Sequence, residues 1–454
     1  MRAFLKLVLI GAILIGLLIP ILMLKGLVYE RQMRGQEVAD DIARASSRAQ
    51  HLIGPLLLIE SEETLLHERR LRQGGQGEEV RQEEVRRTSY RLVAPDTLAI
   101  DNRLSGRERR RGLFGALVYT DQIGLTARFT WPEAPPLQGE RIAHRWLGAS
   151  LVLGVGDARG IQRIAVKVNG AEQRVEPGSR LAFVKEGVHM PLQAERWRGG
   201  MTLDLALDAQ LIGTQMLQWT PLAGEAQVTV TADWPHPSFQ GQRLPDDPQL
   251  SDAGFTAGWS LSRLSNTSLQ AIARCGPEQT YCEGLEAAAF GVRLMDPVDR
   301  YVKTDRAMKY ALLLLVLVFG AVFFTEALRA VEVHPLQYGL TGAALAIFFL
   351  LLLSLSEHIG FGPAYLLATA LCSLLIGFYM APVLGARRRG ALFGTLVAGL
   401  YGLLYGLLQS EDYALLMGSL ALFALLAGVM LATRRLDWRQ VGRPLANPSP
   451  EPSP

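Results

Sequence analysis

Residues 312–324 read LLLLVLVFGAVFF, and this stretch decides the fold: eleven of its thirteen positions are Leu, Val or Phe. It lies in the first of five apolar runs between Met308 and Thr433, at about Tyr310–Thr325, Tyr338–Ser354, Ala364–Leu384, Ala391–Leu408 and Tyr413–Ala432. Each approaches the roughly 20 apolar residues that carry a helix across about 30 Å of hydrocarbon. Backbone N–H and C=O groups facing lipid have no water to bond, so such runs close their hydrogen bonds internally as helices. At about −0.3 to −0.6 kcal/mol for each Leu, Ile, Phe or Val, the first run outweighs the single Glu near its end.

Working outward, the N-terminus reads MRAFLK and continues as an apolar run from Leu7 to Leu24. That run exceeds the roughly 7–15 residues of a signal-peptide core. Lys25-Gly-Leu-Val-Tyr29 follows with no A-x-A cleavage pattern, which predicts an uncleaved anchor and six spans in all. The loops at 329–336 and 386–390 and the tail after 433 carry Arg329, Arg387, Arg388, Arg389, Arg434, Arg435, Arg439 and Arg443. The opposite loops, Ser356–Pro363 and Gln409–Asp412, contain no Lys or Arg. Lys and Arg are retained on the cytoplasmic side, so both termini are expected there and the long insert outside. The resulting organisation is an anchor at 1–29, an exported domain at 30–305, a five-helix bundle at 306–433 and a Pro- and Ser-rich cytoplasmic tail at 434–454.

Within the insert, Val38, Ile42, Ala45, Ala49 and Leu52 recur at spacings of four and three, which predicts a helix over 30–53 stopped by Gly54-Pro55. Beyond it the period becomes two. Leu203, Leu205 and Leu207 alternate with Asp204, Ala206 and Asp208, and Val228 and Val230 with Thr229 and Thr231. Ile164, Val166 and Val168 do the same around Ala165 and Lys167. Half-buried strands have this signature. The fold class is therefore a multi-pass α-helical membrane protein with a large β-rich domain, antiparallel and sandwich-like or barrel-like. Leu71–Thr88, nearly all Gly, Gln, Glu and Arg, reads as an exposed hairpin or a mobile loop. Arg107–Arg111 reads as a solvated turn in preference to a patch for anionic lipid, because Glu108 interrupts it. With 46 Lys and Arg against 43 Asp and Glu, the chain is not built as a nucleic-acid binder.

Few residues advertise chemistry. Glu357, His358, Glu411 and Asp412 fall at the outer ends of spans, where they would bind a cation, relay protons or serve only as interfacial charges. Glu326, at an inner end, is expected to snorkel or pair with Arg329. Trp234-Pro-His-Pro-Ser-Phe239 presents Trp234, His236 and Phe239 on a proline-stiffened segment, either a ligand loop or an aromatic plug closing the sheet. Gly402 and Gly406 form a G-x-x-x-G that reads as a helix-packing face. Cys275 and Cys282, six residues between them, are expected to form a disulfide in the exported domain, with two free thiols as the alternative. Cys372 lies within a span as a small apolar residue. No H-E-x-x-H, G-x-S-x-G or Walker A run is present, so no catalytic residue, cofactor or metal is assigned.

Several ordered segments resemble the CreD family of bacterial inner-membrane proteins: Arg110–Tyr119 (RRGLFGALVY), Trp234–Phe239 (WPHPSF), Gly254–Trp259 (GFTAGW), the PVDRYVKTDR that ends at Arg306, Leu353–His358 (LSLSEH) and Leu400–Asp412 (LYGLLYGLLQSED). The resemblance implies an inner-membrane location, a periplasmic domain at 30–305, a link to the CreBC two-component system and a role in cell-envelope integrity or stress response. The segment at 71–88 is the part least like the family. The expected partners are the lipid bilayer and an envelope lipid or neighbouring periplasmic or membrane proteins. The leading expectation is a non-enzymatic envelope protein. The alternatives are a transporter or lipid-handling protein with the β domain as receptor, and an embedded enzyme using the outer acidic cluster.

Overall fold

Leu203, Leu205 and Leu207 are all buried on one strand face while their polar neighbours are exposed, as a half-buried strand requires. The structure is a computed structural model that describes residues 2–72, 78–137, 141–266, 268–295, 300–329, 332–409 and 414–434. The chain divides into a helical unit, Met1–Gly35 with Val298–Pro454, and a β unit, Gln36–Pro297.

The β unit holds two eight-stranded sheets. The first contains β1 (Gln50–Arg72), β2 (Glu78–Val93), β5 (Arg141–Gly154), β8 (Glu176–Pro177), β9 (Gly187–Leu192), β11 (Met216–Thr220), β13 (Pro237–Gly241) and β16 (Phe290–Leu294). Its order is β13-β16-β11-β1-β5-β9-β8, with β2 joined to β1. The second contains β3 (Thr97–Arg111), β4 (Phe114–Thr130), β6 (Ile161–Val168), β7 (Ala171–Gln173), β10 (Thr202–Thr214), β12 (Glu225–Ala232), β14 (Gln249–Ser251) and β15 (Gly254–Leu261). Its order is β14-β15-β12-β3-β4-β10-β6-β7. Leu57, Leu151 and Trp219 from the first sheet and Ile100, Leu205 and Trp259 from the second meet in one apolar core, so the architecture is a sandwich. The sheets are mixed where the sequence pointed to antiparallel pairing. β1 runs parallel to β11 and β12 parallel to β3. Alternation reports which face a residue takes and says nothing of strand direction, which is set by long crossover connections.

α1 (Arg2–Ala45) is one continuous helix, and it stops eight residues before the expected Ile53. Residues 50–53 are instead the start of β1, paired with Leu217–Thr220 of β11. The helical spacing of Ala49 and Leu52 is overridden by tertiary hydrogen bonds. Gln50 Nε2 donates to Ser47 Oγ at 2.9 Å, to the Asp157 carbonyl at 3.0 Å and to the Ile212 carbonyl at 2.9 Å. The Thr214 hydroxyl donates to the Ser47 carbonyl at 2.6 Å. Buried Asp157 completes the clamp: its carboxylate accepts from the Arg48 N–H at 3.0 Å and from Arg159 Nε at 3.0 Å. Arg159 in turn donates to the Arg44 carbonyl at 2.8 Å, closing the C-terminal end of α1. The hydrogen bonds from Arg159 hold the Asp157 carboxyl below the usual carboxylate range. This stabilisation is present at neutral pH and is lost as pH falls through that lowered value. Asp157→Ala is expected to cost about 2–3 kcal/mol by leaving buried donors unpaired. A thermal midpoint unchanged at pH 7 would contradict the clamp.

The 71–88 segment takes the hairpin form. β1 and β2 pair from Leu57↔Val93 out to Arg72↔Glu78, with residues 73–77 outside the described set. Arg107–Arg111 forms the exposed end of β3 rather than a turn, with Arg110 paired to Glu108 at 2.7 Å. The chain reverses at Gly112, one residue further on.

After the short α2 (Ser268–Ala273) of the β unit come α3 (Arg300–Lys309), α4 (Ala311–Arg329), α5 (Pro335–Ile359), α6 (Phe361–Val383), α7 (Arg387–Gln409) and α8 (Ala414–Thr433). Among the described residues four helices are long and apolar enough to cross a bilayer: α1, α5, α6 and α7. α3 and α4, bent by 45°, make a fifth such span if counted together. Local sequence sets the boundaries. The His334 side chain accepts from the Leu336 N–H at 3.2 Å while Gln337 returns a bond to the His334 N–H at 3.0 Å, and Pro335 occupies the first position of α5. Gly360, at φ 80°, is the single residue between α5 and α6.

Candidate functional site

The helical unit brings together charged residues that the sequence scatters across 320 positions. Lys6 of α1 pairs with Glu326 of α4, whose second oxygen accepts from the Tyr338 hydroxyl of α5 at 3.0 Å. Further along α1, Arg31 Nε lies 3.9 Å from Glu357 Oε1 of α5, and the Tyr301 hydroxyl of α3 donates to the same oxygen at 3.2 Å. The Glu357 side chain is only 8% exposed, so the charge is enclosed by these partners. Arg300 donates to the Ser356 and Glu357 carbonyls at 3.3 and 3.1 Å, placing a cation on the last turn of α5. Lys303 sits 5.8 Å from the ring centroid of Phe361, at the start of α6.

The spacing of these clips carries meaning. Lys6 and Arg31 are 25 residues apart on one helix, which at about 1.5 Å per residue is roughly 37 Å. That exceeds a hydrocarbon core of about 30 Å and falls within the 40–45 Å that includes the headgroups. Each clip therefore suits one membrane interface, where an ion pair costs far less than at mid-membrane.

The residues singled out in the sequence separate into distinct environments. Glu357 belongs to the clip with Arg31 and Tyr301. His358 is exposed, one step of about 100° around the helix, and it is not brought to the Glu357 oxygens. Glu411 and Asp412 lie outside the described residues. Glu326 pairs with Lys6, from the other end of the chain, while the side chain of Arg329, its expected partner, lies outside the described residues. Lys6, Arg31, Arg300 and Tyr301 escaped sequence reasoning. The available signal was opposite charges flanking different spans at the same expected face.

Trp234 and Phe239 both make contacts within the β unit. Trp234 Nε1 donates to the Met295 carbonyl at 2.7 Å, and Phe239 packs edge-on against Phe255 and Trp259 with centroids 6.0 and 5.8 Å away. His236 is exposed, and its carbonyl accepts from the Met295 N–H at 3.0 Å. Cys275 and Cys282 are joined as a disulfide beside the small cluster of Leu222, Ile272 and Leu285. Among the described residues, a Cβ added at Gly402 meets no heavy atom within 4 Å, so the close approach of α7 to α6 is made elsewhere. The seam with α6 lies about three turns earlier on α7, at Gly390 and Gly394. There an added Cβ would come within 2.5 Å of the Gly377 carbonyl of α6 and 2.9 Å of the Ser373 carbonyl, respectively. Among the described residues no three His, Cys, Asp or Glu side chains converge as a metal-binding group.

The family model described as inner membrane protein CreD matches residues 2–439. The chain belongs to the CreD family. The inner membrane protein CreD of Escherichia coli (strain K12) is 36% identical over 446 residues, covering 98% of this chain and 95% of that protein. Among solved structures, an M1 zinc metallopeptidase from Deinococcus radiodurans is 10% identical, covers 74% of this chain and 90% of its own, and gives a TM-score of 0.18. The InvG secretin β-barrel from Salmonella covers 36% of this chain and 61% of its own, at 10% identity and a TM-score of 0.07. Likenesses this weak carry no argument about fold or chemistry. The protein is thus an inner-membrane family member with several apolar helices and a β sandwich.

Proposed function

We propose that this CreD-family protein supports cell-envelope integrity without catalysing a reaction, within the response governed by the CreBC two-component system. In this reading it crosses the membrane six times, α8 included, with both termini cytoplasmic and the β sandwich periplasmic. The distribution of Lys and Arg among the short loops supports that orientation. One observation carries the non-transporting reading: α1 is clipped to the rest of the bundle at both ends, by Lys6–Glu326–Tyr338 and by Arg31–Glu357–Tyr301. A bundle tied at both interfaces serves as a fixed anchor for the sandwich, whereas a transporter must let helices rock past one another.

The test uses a strain lacking the gene, complemented with the natural chain or with the pair Glu326→Gln and Glu357→Gln. Under envelope stress the deletion should admit more of a hydrophobic dye, the natural chain should restore the barrier, and the pair should restore it poorly at equal membrane abundance. A deletion that leaves dye entry unchanged would remove the proposal. A reporter enzyme fused near residue 200 and active only in the cytosol would reverse the orientation.

A second reading, lipid handling with the sandwich as receptor, draws on an apolar groove of about 1040 Å³ between α6 and α7, lined by Leu374, Gly377, Phe378 and Gly394 and bordered by Arg387. Lipid that co-purifies stoichiometrically and is lost on Leu374→Trp, at an exposed position of the groove, would favour it.

A further inference from the structure

β2 is an unusual edge. It pairs with β1 alone among the described strands, so one side of its backbone has no strand beside it from Glu78 to Val93. Residues 82–88 are exposed throughout, and Val85 and Tyr90 are exposed hydrophobics at 38% and 43%. A row of unpaired N–H and C=O groups invites another strand, and natural proteins guard such edges with charge. Here the charge has a pattern: the sequence EEVRQEEVRRTSYRLV is self-complementary when read against its own reverse.

We propose that β2 is a homodimer interface, in which the β2 strands of two copies of this chain pair antiparallel about a two-fold axis through Val85. A two-fold axis relating adjacent antiparallel strands stands perpendicular to the sheet, so one residue must face its own copy. With Val85 in that place, Glu84 stands opposite the second copy's Arg86, and Glu83 opposite its Arg87. Further out, Glu79 stands opposite Arg91 and Val80 opposite Tyr90. By symmetry each pair occurs twice, and no two like charges are directly opposed anywhere over residues 78–92. Opposite charges and aromatic–aliphatic pairs directly across a sheet are favourable, and like charges are not.

The neighbouring registers fail on the same criterion. Centring the axis on Glu84 sets that residue against itself and Arg81 against Arg87, and centring it on Arg86 sets Arg86 against itself and Arg81 against Arg91. Within the hairpin the central pair faces no charge: Glu84 stands across from Leu66 and Arg86 across from Thr64, whereas Glu83 stands across from His67 and Arg87 across from Glu63. Charges placed only to repel strangers need no such order.

The experiment places single cysteines at 83–87 in the otherwise natural full-length chain and oxidises the proteins mildly in native membranes. Residues directly opposite across an antiparallel pair lie about 4.5–5.5 Å apart at Cα, inside the range a disulfide accepts, and only position 85 meets its own copy. Val85→Cys should therefore give a covalent dimer on non-reducing gels at least fivefold more than the cysteines at 84 or 86. Adding Glu84→Arg or Arg86→Glu alone should remove most of that dimer, and both together should restore it. Equal cross-linking at all five positions, or none at 85, would overturn the proposal. So would a Val85→Cys dimer indifferent to the charge reversals. An unchanged thermal midpoint in each variant separates lost pairing from lost folding.

Discussion

Asp121→Asn is expected to make the β sandwich more stable than the natural protein at pH 8.5 and to flatten its stability between pH 5 and 8.5. Asp121 stands on the inward face of β4, opposite Leu104 of β3 and Leu211 of β10, and it is fully buried. Neither carboxylate oxygen has a hydrogen-bond partner among the described residues. Burial pushes its pKa up to about 8, and the nearby Arg103 N–H opposes the shift only weakly. The groups nearest along the sheet give no compensation. Tyr119, two residues away on the same face, is itself pushed upward by burial and by the Asp121 charge, and inward-facing Asn102 spends its amide on the Thr229 carbonyl at 3.1 Å. The folded-state pKa exceeds the unfolded one. The stability is therefore complete below about pH 4 and drains away as pH rises through 8. A shift of about four units corresponds to an upper limit on the order of 5 kcal/mol. The Asn variant lacks this titration but retains an unsatisfied buried amide costing about 1–3 kcal/mol, so it should be slightly weaker at pH 5 and clearly stronger at pH 8.5. Thermal midpoints of the full-length protein across that range measure the crossing. Parallel curves for the two proteins would show that Asp121 is not the titrating group.

Asp121 also marks where the sequence stops being legible. In the segment Tyr119–Phe129 it occupies an inward position of an otherwise regular alternation, with Ile123, Leu125 and Ala127 following at every second residue. An Asp within such a run reads as a strand end or an outward slip, because alternation fixes a face only on average. The alternations that were clean, at 203–208 and 228–231, place their residues correctly on β10 and β12. The helical bundle was legible for a similar reason, since bilayer thickness dictates run length directly.

What resisted reading were the long-range choices. The parallel pairing of β1 with β11 depends on segments more than 160 residues apart, and the clip between Lys6 and Glu326 spans 320. Each partner alone is an ordinary flanking charge or a short apolar strand. The end of α1 failed differently: the helical pattern was present in residues 49–52, but Gln50, Ser47 and Asp157 satisfied one another more fully in an extended chain. For the candidate site, Glu357 stood out as a charge at a span end, while the Arg and Tyr residues that enclose it carry no local signature.

Gly390→Val is expected to separate α6 from α7 and to lower the stability of the bundle sharply, while Gly402→Val on the same helix is expected to be tolerated. Both glycines lie on α7, and the G-x-x-x-G at Gly402 and Gly406 is indistinguishable in sequence from the one at Gly390 and Gly394. Space distinguishes them. A Cβ at Gly390 would fall 2.5 Å from both the Ala381 Cβ and the Gly377 carbonyl oxygen of α6, whereas at Gly402 it meets nothing within 4 Å among the described residues. The obstacle at Gly390 is partly backbone, so no side-chain rotamer relieves it, and the helices must move apart. The reciprocal positions repeat the constraint: an added Cβ at Gly377 would lie 3.0 Å from the Gly390 carbonyl, and one at Gly394 would lie 2.9 Å from that of Ser373. In lipid, where no hydrophobic force drives helices together, this close packing is a principal source of affinity between them. Overpacking a well-packed contact costs typically about 1–3 kcal/mol, and a clash with backbone places Gly390→Val at or above the upper end. Helix propensity costs Val and Gly about the same order, so it cannot mask the difference between the two sites. The comparison needs only the thermal midpoints of the two variants in one detergent. Equal losses at 390 and 402 would mean that α7 presents a different face to α6.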